Sequence, residues 1–399
     1  MSEEHPLLKK IRICNFKSLR DVTIELGKFN VLIGPNACGK TNIIQAFELL
    51  RDIMDPAVIN PFAKFWGYSN VVWIRNEQLN IRFELEFTDG SSYSMDVTGV
   101  GGRCNILRET LKCGDISMWR EGQSLKIMRN GHVEAELKHL SLRYPAVTLT
   151  PSQAVILSSI EVEKELSQEK MKEFMKKLVE TLYEVIETAP VPVLSYLLRI
   201  QALRFSPSKA KEPSPPTRIM RLASDCSNLH AVLYTLFFER GSLPERFYEL
   251  IGEVFPGVEE LRLEPTGDGR IHLLVKERGA YMLPTNMSDG FYKFLSILTA
   301  LELKPSLLAI DEIENSIHHE TMEILINELK NADCQVLITT HSPVVLDLCD
   351  PEDVLLVYRG PDGTMVRRIP EPEELKHKMR ELGLTLGESW VYGALVERP

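Results

Sequence analysis

Apolar residues recur at every second position through Ile11, Ile13, Val22 and Ile24 before the chain enters the apolar run "FNVLIG". Period-two alternation marks strands with one buried face. The opening therefore predicts two antiparallel strands feeding a strand that is buried throughout. After a glycine-containing turn the spacing changes, and Ile43, Ile44, Phe47, Leu50 and Met54 fall along a helical face. From "LNIRFELEF" to "NGHVEAEL" the alternation returns to period two, interrupted at Asp89-Gly90 and Asn130-Gly131. That pattern predicts a run of antiparallel strands joined by tight turns. Around residue 159 the period lengthens again, with Leu166, Phe174, Leu178, Leu182, Val185 and Ile186 on one stripe. A long amphipathic helix, or two joined ones, is expected there.

The second half begins with "SPSKAKEPSPP", whose composition predicts a mobile loop or linker. Helices are expected in "SNLHAVLYTLFFER" and "LPERFYELIGEVF", then a strand pair in "VEELRLEPTGDGRIHLLVKE" around a Gly-Asp-Gly turn. From "DGFYKFLSILTALEL" onward helices alternate with the buried strands "SLLAIDE", "CQVLITTH" and "DVLLVYR". Such alternation is the mark of an α/β fold. No internal repeat is visible.

Composition adds bounds. With 399 residues, 44% apolar and 26% charged, the chain can bury a sizeable core, in two or three units or in one domain with an elaborate insertion. Apolar runs are short and the N-terminus lacks a basic region followed by an apolar stretch, so neither a membrane span nor a signal peptide is predicted. Seven cysteines, widely spaced and never in a C-x-x-C pair, suit buried free thiols in a reducing cytoplasm. A net charge of −10 opposes general affinity for nucleic acid, yet six basic residues against the single acid Glu212 lie between Arg199 and Arg221, including Arg204, Lys209, Lys211 and Arg218. A local basic patch is therefore expected.

Candidate chemistry starts at "GPNACGKT", Gly34 to Thr41, which fits G-x-x-x-x-G-K-[ST] between a strand and a helix. Glycines let backbone N–H groups face phosphates, Lys40 neutralises the outer ones, and the Thr41 hydroxyl can ligate Mg²⁺. In "LLAIDEIEN" a buried strand ends at Asp311 and Glu312, where one carboxylate can hold the metal and the next orient a water. "ITTHSP" puts His341 at the tip of the next strand, 30 residues after Asp311. "NMSDGFYKFL" offers a helix N-terminus at Ser288 to Gly290, 23 residues before Asp311. By itself that stretch is an ordinary cap; a helix dipole and hydroxyl there could also meet an anion. His318 and His319 are adjacent on a helix start and so do not converge on one ion.

In this order the four motifs resemble the ATP-binding-cassette type of ATPase head found in SMC, RecF and OLD proteins and in AAA-labelled relatives from defence loci. The opening strands and the tail "LGESWVYGAL" are similar as well. The resemblance covers 1–95 and 222–358 and leaves 96–221 as a variable insertion, whose helix is too short for SMC coiled-coil arms. It implies an α/β P-loop head with an antiparallel β subdomain and a helical insertion lobe. The expected parts are 1–158 with the phosphate loop and β subdomain, 159–280 as the insertion lobe with its basic linker, and 281–399 carrying the remaining motifs and tail.

The resemblance further implies ATP held by Asn36, Ala37, Cys38, Gly39, Lys40, Thr41 and Asn42, and Mg²⁺ held by Thr41 and Asp311. Glu312 would be the catalytic base and His341 the switch histidine. Ser288 and Gly290 would cover the γ-phosphate bound to a second copy. Cys38 and Asp289 replace residues common in the family, and Gln78 is the nearest candidate for the loop glutamine near the metal. Asn315 and Ser316 fall where the family contacts the partner subunit.

The implied activity is Mg-dependent ATP hydrolysis driving a homodimer or higher homo-oligomer through an ATP sandwich, in DNA repair or anti-phage defence. Nucleic acid and a separately encoded nuclease or toxin are the further partners to consider, and no membrane is involved. The 58 residues after His341 are too few for the fused nuclease domain of OLD-type proteins. A transporter nucleotide-binding subunit is disfavoured by the 247 residues between Thr41 and Ser288. The remaining alternative is an ATP-binding switch that assembles a partner with little turnover.

Overall fold

The computed structural model describes residues 6–137, 145 and 190–393, so the amphipathic stretch expected at 159–189 lies outside the described residues. Two compact units share the chain by interleaved segments. One comprises Met1–Leu26, Gln45–Ile200 and Tyr358–Val366, the other Gly27–Ile44, Gln201–Val357 and Arg367–Pro399.

The first unit is built on an eight-stranded antiparallel sheet in the order Leu19–Glu25, Leu8–Phe16, Ile81–Phe87, Ser92–Thr98, Asn105–Cys113, Ile116–Glu121, Ser124–Arg129 and His132–Leu137. Its register follows the alternation in the sequence: Ile11 faces Ile24 and Leu85, and Ile13 faces Val22 and Phe83, all fully or almost fully buried. The opposite face carries charge, where Arg12 makes a two-pronged contact with Asp21 at 2.8 Å for each bond. Asn130 and Gly131 both take positive φ, 50° and 80°, and join Arg129 to its partner His132 in the tight hairpin expected of Asn-Gly. Between residues 63 and 75 the chain runs through three short 3₁₀ turns, which have no periodicity a sequence could announce.

The second unit centres on strands in the order Ile200–Leu203, Leu307–Ile310, Gln335–Thr340, Phe29–Ile33 and Val354–Gly360. The strand Phe29–Ile33 is parallel to both neighbours, and Leu307–Ile310 is parallel to Gln335–Thr340. All five residues of Phe29–Ile33 are buried, as expected of a parallel strand covered on both faces. Register aligns Ile33 with Thr340 and Ile310 with Ile338, so Gly34, Asp311 and His341 all follow the C-terminal ends of parallel strands. Loops at that end of an open α/β sheet are where such folds bind ligands. The helix Asp289–Glu302 is buried from Phe291 to Ala300 and packs in the core of this unit. Helices Leu229–Arg240 and Glu245–Val254 and a three-stranded sheet of Val258–Pro265, Ile271–Glu277 and Ala280–Met282 complete it.

The segment expected to be a mobile linker is instead packed in place. Pro207–Ala210 is a helical turn, and Ala210 and Ser214 are buried. Ser214 exchanges both backbone hydrogen bonds with Ile271, at 2.9 and 2.7 Å. The carbonyl of Glu212 accepts a bond from His230 Nδ1 at 2.9 Å. Burial holds that imidazole down to about 4, so it stays neutral at ordinary pH. Lys211 Nζ reaches the carbonyl of Met287 at 2.8 Å and Asp289 at 2.6 Å. Within the expected basic patch Lys209 also pairs with Asp225 at 2.7 Å and Arg218 with Glu239 at 2.5 Å.

All seven cysteines are free thiols. Among the described residues no helix is long and apolar enough to cross a membrane.

Candidate nucleotide site

The phosphate loop leaves the buried strand Phe29–Ile33 at Gly34, where a Cβ would stand 2.0 Å from the carbonyl oxygen of Val357. Only glycine fits there. Ala37 and Gly39 adopt positive φ, 61° and 114°, and curl the loop back so that the helix Lys40–Met54 starts at once. Orphan N–H groups at such a helix start present a positive concavity to anions. Asn36 and Ala37 are exposed, Gly39, Thr41 and Asn42 are half-buried, and Cys38 is buried. Burial pushes the Cys38 thiol up, which keeps it protonated. Lys40 is almost fully buried, and its Nζ donates to the carbonyls of Gly34 at 2.6 Å and Pro35 at 3.1 Å.

Asp311 joins this loop to its neighbours. Its Oδ1 accepts from Thr339 Oγ1 at 2.7 Å and from Thr41 Oγ1 at 3.3 Å, while its backbone N–H donates to Leu203 at 2.9 Å. Burial is the largest influence on this carboxyl and raises it. A carboxylate so desolvated is stabilised by a nearby cation, and the Thr41 hydroxyl beside it adds a second hard oxygen donor. Among the described residues no cluster of three or more His, Cys, Asp or Glu is placed to hold a metal ion alone.

Glu312 follows with a positive φ of 49°, and its N–H is held by Thr339 Oγ1 at 2.8 Å. Its exposed carboxylate accepts from Asn315 Nδ2 at 2.5 Å. Beneath this turn lies Lys293, a cation on the buried helix, whose Nζ donates to the carbonyls of Glu312 at 2.6 Å and Asn315 at 2.9 Å. Burial lowers its ammonium to about 8, against the opposing pull of Glu314 and Glu312. Sequence reasoning overlooked Lys293 and Thr339. The signals were a lysine among "FYKFL" and a second threonine before His341.

His341 meets Glu314, whose Oε1 lies 2.8 Å from its backbone nitrogen and 3.0 Å from Nδ1. Ser288 caps its helix, accepting from Phe291 N–H at 3.1 Å. Gly290 is pressed against the turn after Glu312: a Cβ there would stand 2.4 Å from the carbonyl oxygen of Ser316. Phosphate loop, Asp311 and Glu312 are thus joined through Thr41 and Thr339, and His341 and Gly290 touch the same 312–317 turn. Gln78 lies in a turn of the other unit, where its N–H donates to Asn76 Oδ1 at 3.1 Å.

Two family models match the chain in tandem: "AAA ATPase domain" over residues 7–187, and "AAA domain, putative AbiEii toxin, Type IV TA system" over residues 178–347. A curated relative, the OLD nuclease of Thermus scotoductus, is 21% identical over 370 residues, which is 90% of this chain. Both family models are AAA-type ATPase domains, and between them they cover residues 7–347. The chain spans 63% of the length of that OLD nuclease. Among solved structures it is similar to an SMC head bound to the C-winged helix domain of ScpA, at 16% identity and a TM-score of 0.49, covering 93% of this chain and 100% of that one. The corresponding SMC head of Pyrococcus furiosus gives 13% identity and a TM-score of 0.45, covering 94% and 100%.

Proposed function

We propose that this head is a Mg-dependent ATPase, two copies of which close on two ATP molecules and reopen after hydrolysis. The observation that supports this most directly is the convergence on Asp311 Oδ1 of hydroxyls from the phosphate-loop helix and from the strand before His341. In this reading Thr41 and Asp311 are the metal-ligating pair beside the phosphate cradle, with Glu312 one residue further along.

In this reading ATP phosphates lie along the N–H groups of 36–42, and Lys40 exchanges its loop carbonyls for phosphate oxygens. Mg²⁺, held by Thr41 and Asp311, would offset charge on the transferring phosphoryl group. Glu312, fixed by Asn315 and by Lys293 below, orients the attacking water and receives its proton. His341 contacts the γ-phosphate. Ser288 and Gly290 of one copy close over the nucleotide of the other, where helix N–H groups meet the phosphate.

The closure serves a nucleic-acid-linked process, repair or anti-phage defence, acting with a separately encoded effector. Similarity to an OLD nuclease supports that class of process. The family description naming a toxin supports the second reading, an ATP-binding switch that assembles a toxin or nuclease partner with little turnover. DNA-stimulated turnover favours the first reading, and slow, DNA-insensitive turnover the second.

The decisive experiment is the molar mass of Glu312→Gln by light scattering with and without Mg-ATP. We expect ATP-dependent dimers and no turnover, because removing the base leaves nucleotide binding intact. Hydrolysis at the wild-type rate would remove Glu312 from the chemistry. A mass that stays monomeric with Mg-ATP would remove the closure mechanism, and a dimer already present without ATP would mean a constitutive assembly.

A further inference from the structure

We infer that Glu314 is the positioning residue of His341, which gives the proposed γ-phosphate sensor a fixed tautomer and ring direction. One carboxylate oxygen, Oε1, accepts the backbone N–H of His341 at 2.8 Å and lies 3.0 Å from its Nδ1. A backbone hydrogen bond and a close imidazole contact from one residue converge on a single acceptor, which sets the loop and the ring beside the same carboxylate. A carboxylate oxygen at this distance repels a ring lone pair, which favours hydrogen on Nδ1. Nε2 is then the ring nitrogen left for the proposed phosphate contact.

The carboxylate itself is restrained. The Glu314 side chain is 15% exposed, and its other oxygen, Oε2, is buried without a hydrogen-bond partner. A buried acceptor left open costs stability, so its retention calls for a compensating role. The positive charge of Lys293 acts on Glu314, and the same ammonium grips the carbonyl of Asn315, the next residue. The carboxylate is therefore held from the loop side and aimed at the histidine. A carboxylate behind an imidazole fixes its tautomer and orientation in metal sites and in hydrolase triads alike. The same geometry occurs here, two residues beyond Glu312.

The inference rests on the proposed role of His341, and its test separates the two. Nitrogen-15 imidazole spectra of the full chain, assigned by loss of signal in His341→Gln, should show the Nδ1–H tautomer in wild type and in Glu314→Gln, whose amide oxygen still accepts. Glu314→Ala should move the ring towards Nε2–H and lower kcat for ATP by roughly 10–100-fold, with KM changed less than about twofold. Glu314→Gln should restore part of that loss. A wild-type ring in the Nε2–H form, or Glu314→Ala at full kcat while His341→Ala is inactive, would overturn the assignment. Full turnover in His341→Ala would instead overturn the sensor role, leaving the spectra to decide whether Glu314 orients the ring.

Discussion

Replacing Lys293 by Met removes a buried ammonium and leaves a side chain of similar length in its place. Two charge-assisted hydrogen bonds, to the carbonyls of Glu312 and Asn315, are lost. At roughly 1.5–3 kcal/mol each they favour the wild type by about 3–6 kcal/mol. Against this stands the cost of keeping the charge buried: a fall from 10.5 to about 8 corresponds to roughly 3 kcal/mol. At pH 7 the variant should therefore be about 0–3 kcal/mol less stable. The pH dependence is the sharper test. A lowered lysine penalises the folded state while the group is charged, and the penalty is relieved between its folded value and its unfolded value. Wild type should gain about 2 kcal/mol over Lys293→Met between pH 7 and 9.5. Urea unfolding would measure it, with Trp66, Trp73 and Trp119 changed to Phe so that Trp390, in the same unit as Lys293, reports. Every other titrating group is common to both proteins and cancels. A gap that stays constant over this range would refute the buried-ammonium account.

Two further outcomes bear on the proposed closure and on nucleic acid. Ser288→Asp should keep the helix cap, and stability within about 0.5 kcal/mol, since Asp and Ser cap equally well; placed against a phosphate its charge should abolish ATP-dependent dimers, and wild-type association would reduce Ser288 to a cap. Lys209→Gln combined with Arg218→Gln should change DNA affinity by less than about twofold, because Asp225 and Glu239 already neutralise both cations; a salt slope smaller by about two would place the DNA path on this segment after all.

What the sequence disclosed was whatever depends on neighbours along the chain. The phosphate loop needs strand, glycines and helix in succession, and all three lie within residues 29–54. Asp311 was legible because a parallel strand is written as an apolar run with its acids at the end. Ile200–Leu203 was missed because Gln201 breaks its apolar run, though it supplies the carbonyl for the Asp311 N–H. Residues 207–216 looked like a linker because their anchors, Ile271, Met287 and Asp289, lie more than 50 positions away. Lys293 reads as an exposed residue of an amphipathic helix until the turn after Glu312 is laid over it.

The close fit of Gly290 to the Ser316 carbonyl has a consequence for how a pair of heads would count nucleotides. Backbone against backbone leaves no slack, and Lys293 fastens the same turn from below. In the proposed closed pair, Ser288, which would face the neighbour's ATP, and Glu312, which would serve its own, therefore ride on one body. In a closed pair, occupancy of either site sets the posture of the other. ATP turnover should then rise with a Hill coefficient approaching two, and Gly290→Ala, by wedging the turn away, should bring it back towards one.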